Sequence, residues 1–150
     1  MDEIELRLAE ERDVPQLAEI DEICFALPWS QESFHQEICE NPRAIYVVAC
    51  RGDRILAYAG VWVILDEGHI TNVAVRPEDR GNGLGEAVVC RLLQSGEKSG
   101  INSFTLEVRV SNLPAKKLYE KMGFVSAGIR KGYYVDNGED AEIMWRNKEE

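Results

Sequence analysis

An α/β fold, an α+β mixed sheet with helices on its faces, is predicted by three observations in this 150-residue sequence. The hydrophobic period switches repeatedly between two and 3.6 along the chain, so strands and helices succeed one another. Three strand-like runs follow in succession between residues 44 and 75, separated by short turns. A glycine-rich turn at Arg80 to Gly85 then leads from strand into helix. The length suits one domain over 1–150. With 45% hydrophobic residues, such a chain buries roughly 68–70% of its unfolded surface, so neither disulfides nor a structural metal is needed for stability.

Each element has a local reason. Ile4 to Leu8 alternates and reads as the first strand. Asp13 offers an N-cap and Pro15 an early helical proline, and Val14, Leu17, Ile20, Ile23 and Cys24 make a helical stripe. After Ala26-Leu27-Pro28-Trp29, Ser30 caps a second helix with Phe34, Ile38 and Cys39 on its apolar side, ending near Asn41-Pro42. Ala44 to Arg51, Arg54 to Leu65 and Gly68 to Val75 form the meander, with Gly52-Asp53 marking the first hairpin. A third helix carries Leu84, Val88, Leu92 and Leu93 on one side. Ser103 to Val110 is a strand and Leu113 to Met122 a helix stopped by Gly123; strands at Phe124 to Ile129 and Ala141 to Arg146 complete the chain. The order is β-α-α-β-β-β-α-β-α-β-β.

Seventeen basic against twenty-seven acidic residues give a net charge of -10. No basic excess exists to release counterions, so binding to nucleic acid is disfavoured. The acidic N-terminal run Met1-Asp2-Glu3-Ile4-Glu5-Leu6 lacks the features of a signal peptide. No apolar run approaches the roughly 20 residues that span a bilayer, and the sequence predicts a cytoplasmic protein with no membrane contact. The cysteines Cys24, Cys39, Cys50 and Cys90 form no C-x-x-C pair and read as reduced packing residues, Cys90 in the core. His35 reads as a surface residue.

The strongest local feature is Val73-Ala74-Val75-Arg76-Pro77-Glu78-Asp79-Arg80-Gly81-Asn82-Gly83-Leu84-Gly85. Its three glycines bare the backbone, so several N–H groups can face one anion while the helix dipole adds positive potential. A phosphorylated ligand is the natural occupant. Glu86-Ala87 after the last glycine excludes a nucleotide-hydrolysing P-loop, and the spacing G-x-G-x-G departs from the dinucleotide fingerprint.

Arg80, Gly83 and Gly85 resemble the acyl-CoA loop of the GNAT superfamily of N-acetyltransferases, and the order of elements resembles that fold along essentially the whole chain. A narrower match lies in Leu106-Glu107-Val108-Arg109-Val110-Ser111-Asn112-Leu113-Pro114-Ala115 and Leu118-Tyr119-Glu120-Lys121-Met122-Gly123-Phe124. Together with Pro28-Trp29, Gly68-His69 and Gly132-Tyr133-Tyr134, these segments resemble the RimI-type ribosomal-protein alanine N-acetyltransferases. The resemblance implies acetyl-CoA as co-substrate, with the backbone of Gly81, Asn82, Gly83, Leu84, Gly85 and Glu86 on its pyrophosphate. It places the pantetheine arm along Val73 and Val75, and Asn112 as a cap and pantetheine contact. Glu107 would be the general base, Tyr119 the acid, and His69 a second candidate base. A bulge of the loop strand at Ala74 or Val75 would supply an oxyanion donor.

Trp29, Tyr133 and Tyr134 would wall the peptide site, and Glu22, Glu32, Asp136, Glu139 and Asp140 would draw a basic N-terminal segment. An α-amine, with pKa about 7.7–8.0, is more easily deprotonated than a lysine near 10.4, by roughly 3.5 kcal/mol. Glu107, ordinarily near 4.3, would serve if burial raised its pKa or if it passed protons through an ordered water; a solvated carboxylate or a partner of Arg109 is the other reading of this residue. Tyr119 can equally pack against Phe124, and His69 can be an ordinary strand histidine. The implied substrate is a protein N-terminus, the alanine of ribosomal small-subunit protein eighteen, with no metal required. Two rivals remain: an N-terminal or small-amine acetyltransferase with other targets, and a non-catalytic acyl-CoA-binding module.

Overall fold

The computed structural model describes residues 3–147; Met1 and Asp2, which open the acidic N-terminal run, lie outside them. The elements are β1 (Glu5–Leu8), α1 (Val14–Cys24), α2 (Gln31–His35, continued by a π-helical turn Gln36–Glu40), β2 (Ala44–Arg51), β3 (Arg54–Ile64) and β4 (Glu67–Val75). They continue with α3 (Leu84–Lys98), β5 (Ser103–Arg109), α4 (Leu113–Lys121), β6 (Val125–Arg130) and β7 (Ala141–Asn147). This is the order the periodicity predicts. Among the described residues no helix is long and apolar enough to cross a membrane.

Seven strands make one sheet in the order β1-β2-β3-β4-β5-β7-β6, antiparallel throughout except between β4 and β5. Alternation along each strand divides the core in two. Val47, Ala49, Leu106 and Val108 face the layer of α3 and α4, meeting Val88, Leu92 and Tyr119. Tyr46, Val48, Ile55 and Tyr58 face α1 and α2, meeting Leu17, Ile20 and Phe34. Each fully buried aliphatic or phenylalanine side chain contributes roughly 1.5–3 kcal/mol.

Two features of β4 shape everything downstream. Gly60 pairs with Asn72 but the next residue, Val61, pairs with Ile70, so Thr71 is an extra residue in β4. This bulge flips the parity of the strand: Ile70 packs with the α3 layer before it, and Val73 and Val75 do so after it. Gly60 is required at this point because a Cβ there would strike the Tyr46 ring, whose hydroxyl reaches Thr71 and Asn72 at 3.4 Å. The second feature is that β4 pairs with β5 only from Glu67↔Ser103 to His69↔Thr105, after which the two strands part.

Several expectations are corrected. Asp13 does not cap α1 through its side chain; the carboxylate is buried, accepts the Glu10 N–H at 2.7 Å and takes the Arg7 guanidinium at 2.7 and 2.9 Å. Ile23 is exposed and Asp21 buried, because the inward face is set by Val14, Leu17 and Ile20 and Ile23 lies about 200° round the helix from Asp21. Cys90 is exposed rather than core, being about 200° from Val88 on α3, and Cys39 is also exposed. All four cysteines are free, and His35 sits at the surface beside Glu40.

The Arg7–Asp13 pair ties β1 to the entry of α1. Burial alone pushes the Asp13 pKa up, but the Arg7 hydrogen bond and the Glu10 N–H outweigh it and hold the carboxyl below 3.8. A depressed carboxylate stabilises the fold above its unfolded pKa and loses that contribution as pH falls through its folded value. Asp13→Ala should therefore lower stability by about 3 kcal/mol in urea unfolding at neutral pH, with the deficit shrinking in acid. A loss below about 0.5 kcal/mol, the level of an ordinary surface substitution, would show that the pair does not anchor the sheet edge.

Candidate active site

Where β4 and β5 part, a cleft of about 1120 Å³ opens between them, floored by Leu106 and Val108 and walled by α1, α4 and the segment 133–136. Its far end is the turn between β4 and α3. Gly81 and Gly83 both adopt left-handed conformations, φ 85° and 77°, which other residues reach only with strain. Among the described residues, none of the N–H groups from Gly81 to Glu86 donates to a backbone carbonyl; helical bonding begins with Ala87 N–H on Gly83 O at 3.0 Å. Six donors at a helix N-terminus suit an anion of phosphate type. Leu84 anchors the turn in the core, and a Cβ on Gly85 would meet Leu118 and Val75 only at ordinary contact distance, 3.6 and 3.7 Å, so packing does not demand glycine there. The Asn82 amide braces the turn by donating to Asp79 O at 3.1 Å.

Arg80 folds back along the cleft, its Nε donating to Val75 O at 3.1 Å and its guanidinium touching Cys24 Sγ at 3.4 Å. Because the Arg76 N–H binds Leu56 O on β3, antiparallel alternation turns the peptide groups of Val75 and Val73 toward the cleft and those of Ala74 toward β3. The bulge expected at Ala74 or Val75 lies at Thr71 instead, since Val73, Ala74 and Val75 keep regular pairing with Ala59, Tyr58 and Ala57. Asn112 caps α4, its side chain accepting from Ala115 N–H at 3.2 Å, and lines the cleft.

The titratable groups meet at the point of divergence. Phe104, Leu106 and Val108 fill the α3 layer, so Thr105, Glu107 and Arg109 point to the opposite face. His69, last of the paired residues on β4, lies beside them, and its Nε2 is 2.8 Å from Glu107 Oε1. Tyr133 donates to the same oxygen at 3.2 Å. The hydrogen bond from His69 holds the Glu107 carboxyl below its ordinary 4.5, against burial. Reciprocally, Glu107 raises His69 above 6.5, again against burial. Of the two ways in which Glu107 would serve, a pKa raised by burial is the one the structure does not give, because of a partner that sequence spacing does not reveal. Arg109 is not the partner of Glu107: it binds Asp136 and Glu139.

Tyr119 is buried, packs edge-on against Phe124 at 5.7 Å and also lines the cleft. Burial pushes its phenol pKa well up. Trp29 lies across the cleft against Phe34, at 5.4 Å between rings. Its backbone N–H donates to Asp21 at 2.9 Å. Asp21, absent from the sequence-based candidates, is bonded to the Tyr58 hydroxyl, and Asn72 donates to that hydroxyl at 3.0 Å. An acidic residue one position from Ile20 on the helical stripe is the signal that could have marked it. Of the acids expected to draw substrate, Asp136 and Glu139 are engaged by Arg109 and Asp140 accepts the Gly132 N–H, while Glu22 lines a second groove beside Trp29.

The family model described as Acetyltransferase (GNAT) family matches residues 14–124. A Bacillus subtilis relative is 44% identical over 133 residues, covering 89% of this chain and 88% of its own. The Escherichia coli ribosomal protein bS18-alanine N-acetyltransferase is 37% identical over 137 residues, covering 90% of this chain and 91% of its own. The chain belongs to the GNAT acetyltransferase family. The crystal structure of the ribosomal-protein-S18-alanine N-acetyltransferase from Escherichia coli superposes with a TM-score of 0.89 and 34% identity over 99% of this chain and 96% of that one. GNAT enzymes use acetyl-CoA, and the donor-rich turn and open slot between β4 and β5 fit a ligand with a phosphate end and an extended arm. Gly83→Val, which forces a β-branched residue to φ 77°, should weaken acetyl-CoA binding at least tenfold, about 1.4 kcal/mol, in calorimetric titration. Unchanged affinity in a folded variant would remove the turn from the binding site.

Proposed function

We propose that this GNAT enzyme, acting as one domain over 1–150, acetylates the α-amine of a protein N-terminus, and that its substrate is the N-terminal alanine of ribosomal protein bS18. The names of relatives such as the Escherichia coli enzyme support the substrate. The observation that carries the chemistry is the Glu107–His69 hydrogen bond at the point where β4 and β5 part, beneath Tyr133. When bound, acetyl-CoA supplies the thioester whose acetyl group moves to the amine. The N–H groups of Gly81 to Glu86 receive its pyrophosphate, and the Val73 and Val75 edge together with Asn112 receives the pantetheine arm.

The proton balance follows from the two opposed shifts. A carboxyl held below 4.5 is a weak acceptor for an ammonium of pKa about 7.7–8.0. An imidazole raised above 6.5 lies much closer to that amine, and each unit of mismatch costs about 1.4 kcal/mol. Glu107 and His69 therefore act as a pair: Glu107 orients the incoming amine and bears the counter-charge, and the proton comes to rest on His69. Tyr119, kept protonated by burial, donates to the departing sulfur. Trp29, Tyr133 and Tyr134 bound the space for a small first side chain.

Intact-mass assays with acetyl-CoA should show a free N-terminal alanine peptide gaining one acetyl group much faster than the same peptide blocked at its N-terminus but carrying lysine. Glu107→Gln should reduce turnover by about 10²–10⁴, with acetyl-CoA affinity little changed, and Tyr119→Phe by a similar factor. Equal rates on the blocked lysine peptide would move the enzyme to side-chain amines. Coenzyme A retained with no mass gain on any peptide would make it a binding module.

A further inference from the structure

The segment between β6 and β7 carries Tyr133 and Tyr134 over the cleft, yet it contains no strand pairing of its own from 131 to 140. It also brings Asp136, Glu139 and Asp140 close to a site whose central group, Glu107, is itself anionic. Like charges in such proximity repel, and an exposed loop of this length has little apolar surface to hold it down. Backbone bonds from Tyr134 N–H to Glu139 O at 3.1 Å, Gly138 N–H to Tyr134 O at 2.7 Å and Val110 N–H to Asp140 O at 3.2 Å shape the segment. The side chain that gathers its charges is Arg109, two residues beyond Glu107 and on the same face of β5. One guanidinium nitrogen donates to Asp136 at 2.9 Å, the other to Glu139 at 3.3 Å and to Asn137 at 3.2 Å. Its Cζ lies over the Tyr134 ring, 4.0 Å from the ring centre. Glu139 in turn accepts the Ser111 N–H at 2.9 Å, tying the segment to the turn that presents Asn112.

We propose that Arg109 is a positioning residue for peptide recognition: by clamping Asp136, Glu139 and Tyr134 it holds the Tyr133 hydroxyl on Glu107 and closes the peptide side of the cleft. This rests on the functional reading given above. Charge-assisted, multidentate contacts of this kind are the strong ones, and a lysine cannot reproduce the fork. Arg109 touches neither the Gly81–Glu86 turn nor His69, and Asn112 keeps its own cap bond to Ala115 N–H, so the main effect of the clamp falls on the peptide half of the site.

The test is a double-mutant cycle read alongside amide hydrogen exchange. Arg109→Gln and Tyr133→Phe should each raise the KM for an N-terminal alanine peptide about tenfold, leaving the acetyl-CoA KM within about twofold. The double variant should be no worse than the poorer single one, because both remove the same contact. Exchange of residues 131–140 should accelerate in Arg109→Gln and in Asp136→Asn, which breaks the clamp from the other side, but not in Tyr133→Phe. Losses that multiply in the double variant, or an acetyl-CoA KM that rises with the peptide KM, would overturn the proposal. Should the parent enzyme acetylate no peptide, the functional reading fails, and the exchange measurement still decides the clamp: unchanged exchange in both charge variants sinks it.

Discussion

Two neighbouring parallel strands that stay paired for only three residues are expensive to maintain, because the peptide groups beyond the last pair lose their sheet partners inside the protein. In this enzyme β4 and β5 separate after His69↔Thr105, and the rest of the architecture depends on that separation. It opens the slot into which an extended ligand can lay its own amides. It also leaves α3, which follows β4, and α4, which follows β5, to start at the same open end of the slot, where the two parallel strands end, so both helix N-termini flank it. The extra residue at Thr71 belongs to the same device, since it lets β4 remain bonded to β3 while the strand turns its second half away from β5.

An open slot needs rigid walls. On the α1 side, the wall is a buried polar chain: Asp21 accepts from the Trp29 backbone and the Tyr58 hydroxyl, Asn72 donates to that hydroxyl, and Tyr46 reaches Asn72. Buried polar groups are stable only when satisfied, so this chain fixes the loop between α1 and α2 in one position relative to the bulge. Burial raises the Asp21 pKa despite those partners. On the other side the wall is ionic, with Arg109 collecting the acids of the 131–140 segment. The charges that composition alone offers as bait for a basic substrate are in large part spent on holding the enzyme together.

Much of this was legible in sequence, for reasons that differ between fold and site. Strand and helix order was readable because the continuous apolar run of β2, the alternation in β5 and the stripe on α3 are local patterns. The Ser30 cap and the glycine-rich turn into α3 were readable for the same reason, each being decided by a few adjacent residues. Ile23, Cys39 and Cys90 were misplaced, and Asp21 was passed over, because a helical stripe has a width but no marked edge, and tertiary packing chooses which side of it is buried. The bulge at Thr71 escaped because its cause, the Tyr46 ring over Gly60, lies on two other strands. Glu107 and Tyr119 were singled out through family resemblance alone; the meeting of Glu107 with His69 required the pairing of β4 with β5, the two residues being thirty-eight positions apart in the chain.

The proposed chemistry rests on that meeting, which gives two adjacent side chains opposite shifts. The direct measurement is the imidazole titration of His69 by NMR in the parent enzyme and in Glu107→Gln. The account predicts a midpoint above the ordinary 6.5 in the parent, and a fall toward or below that value once the carboxylate is replaced and burial alone acts on the ring. An identical midpoint in both proteins would contradict it, and would leave Glu107 and His69 as neighbours without a shared proton.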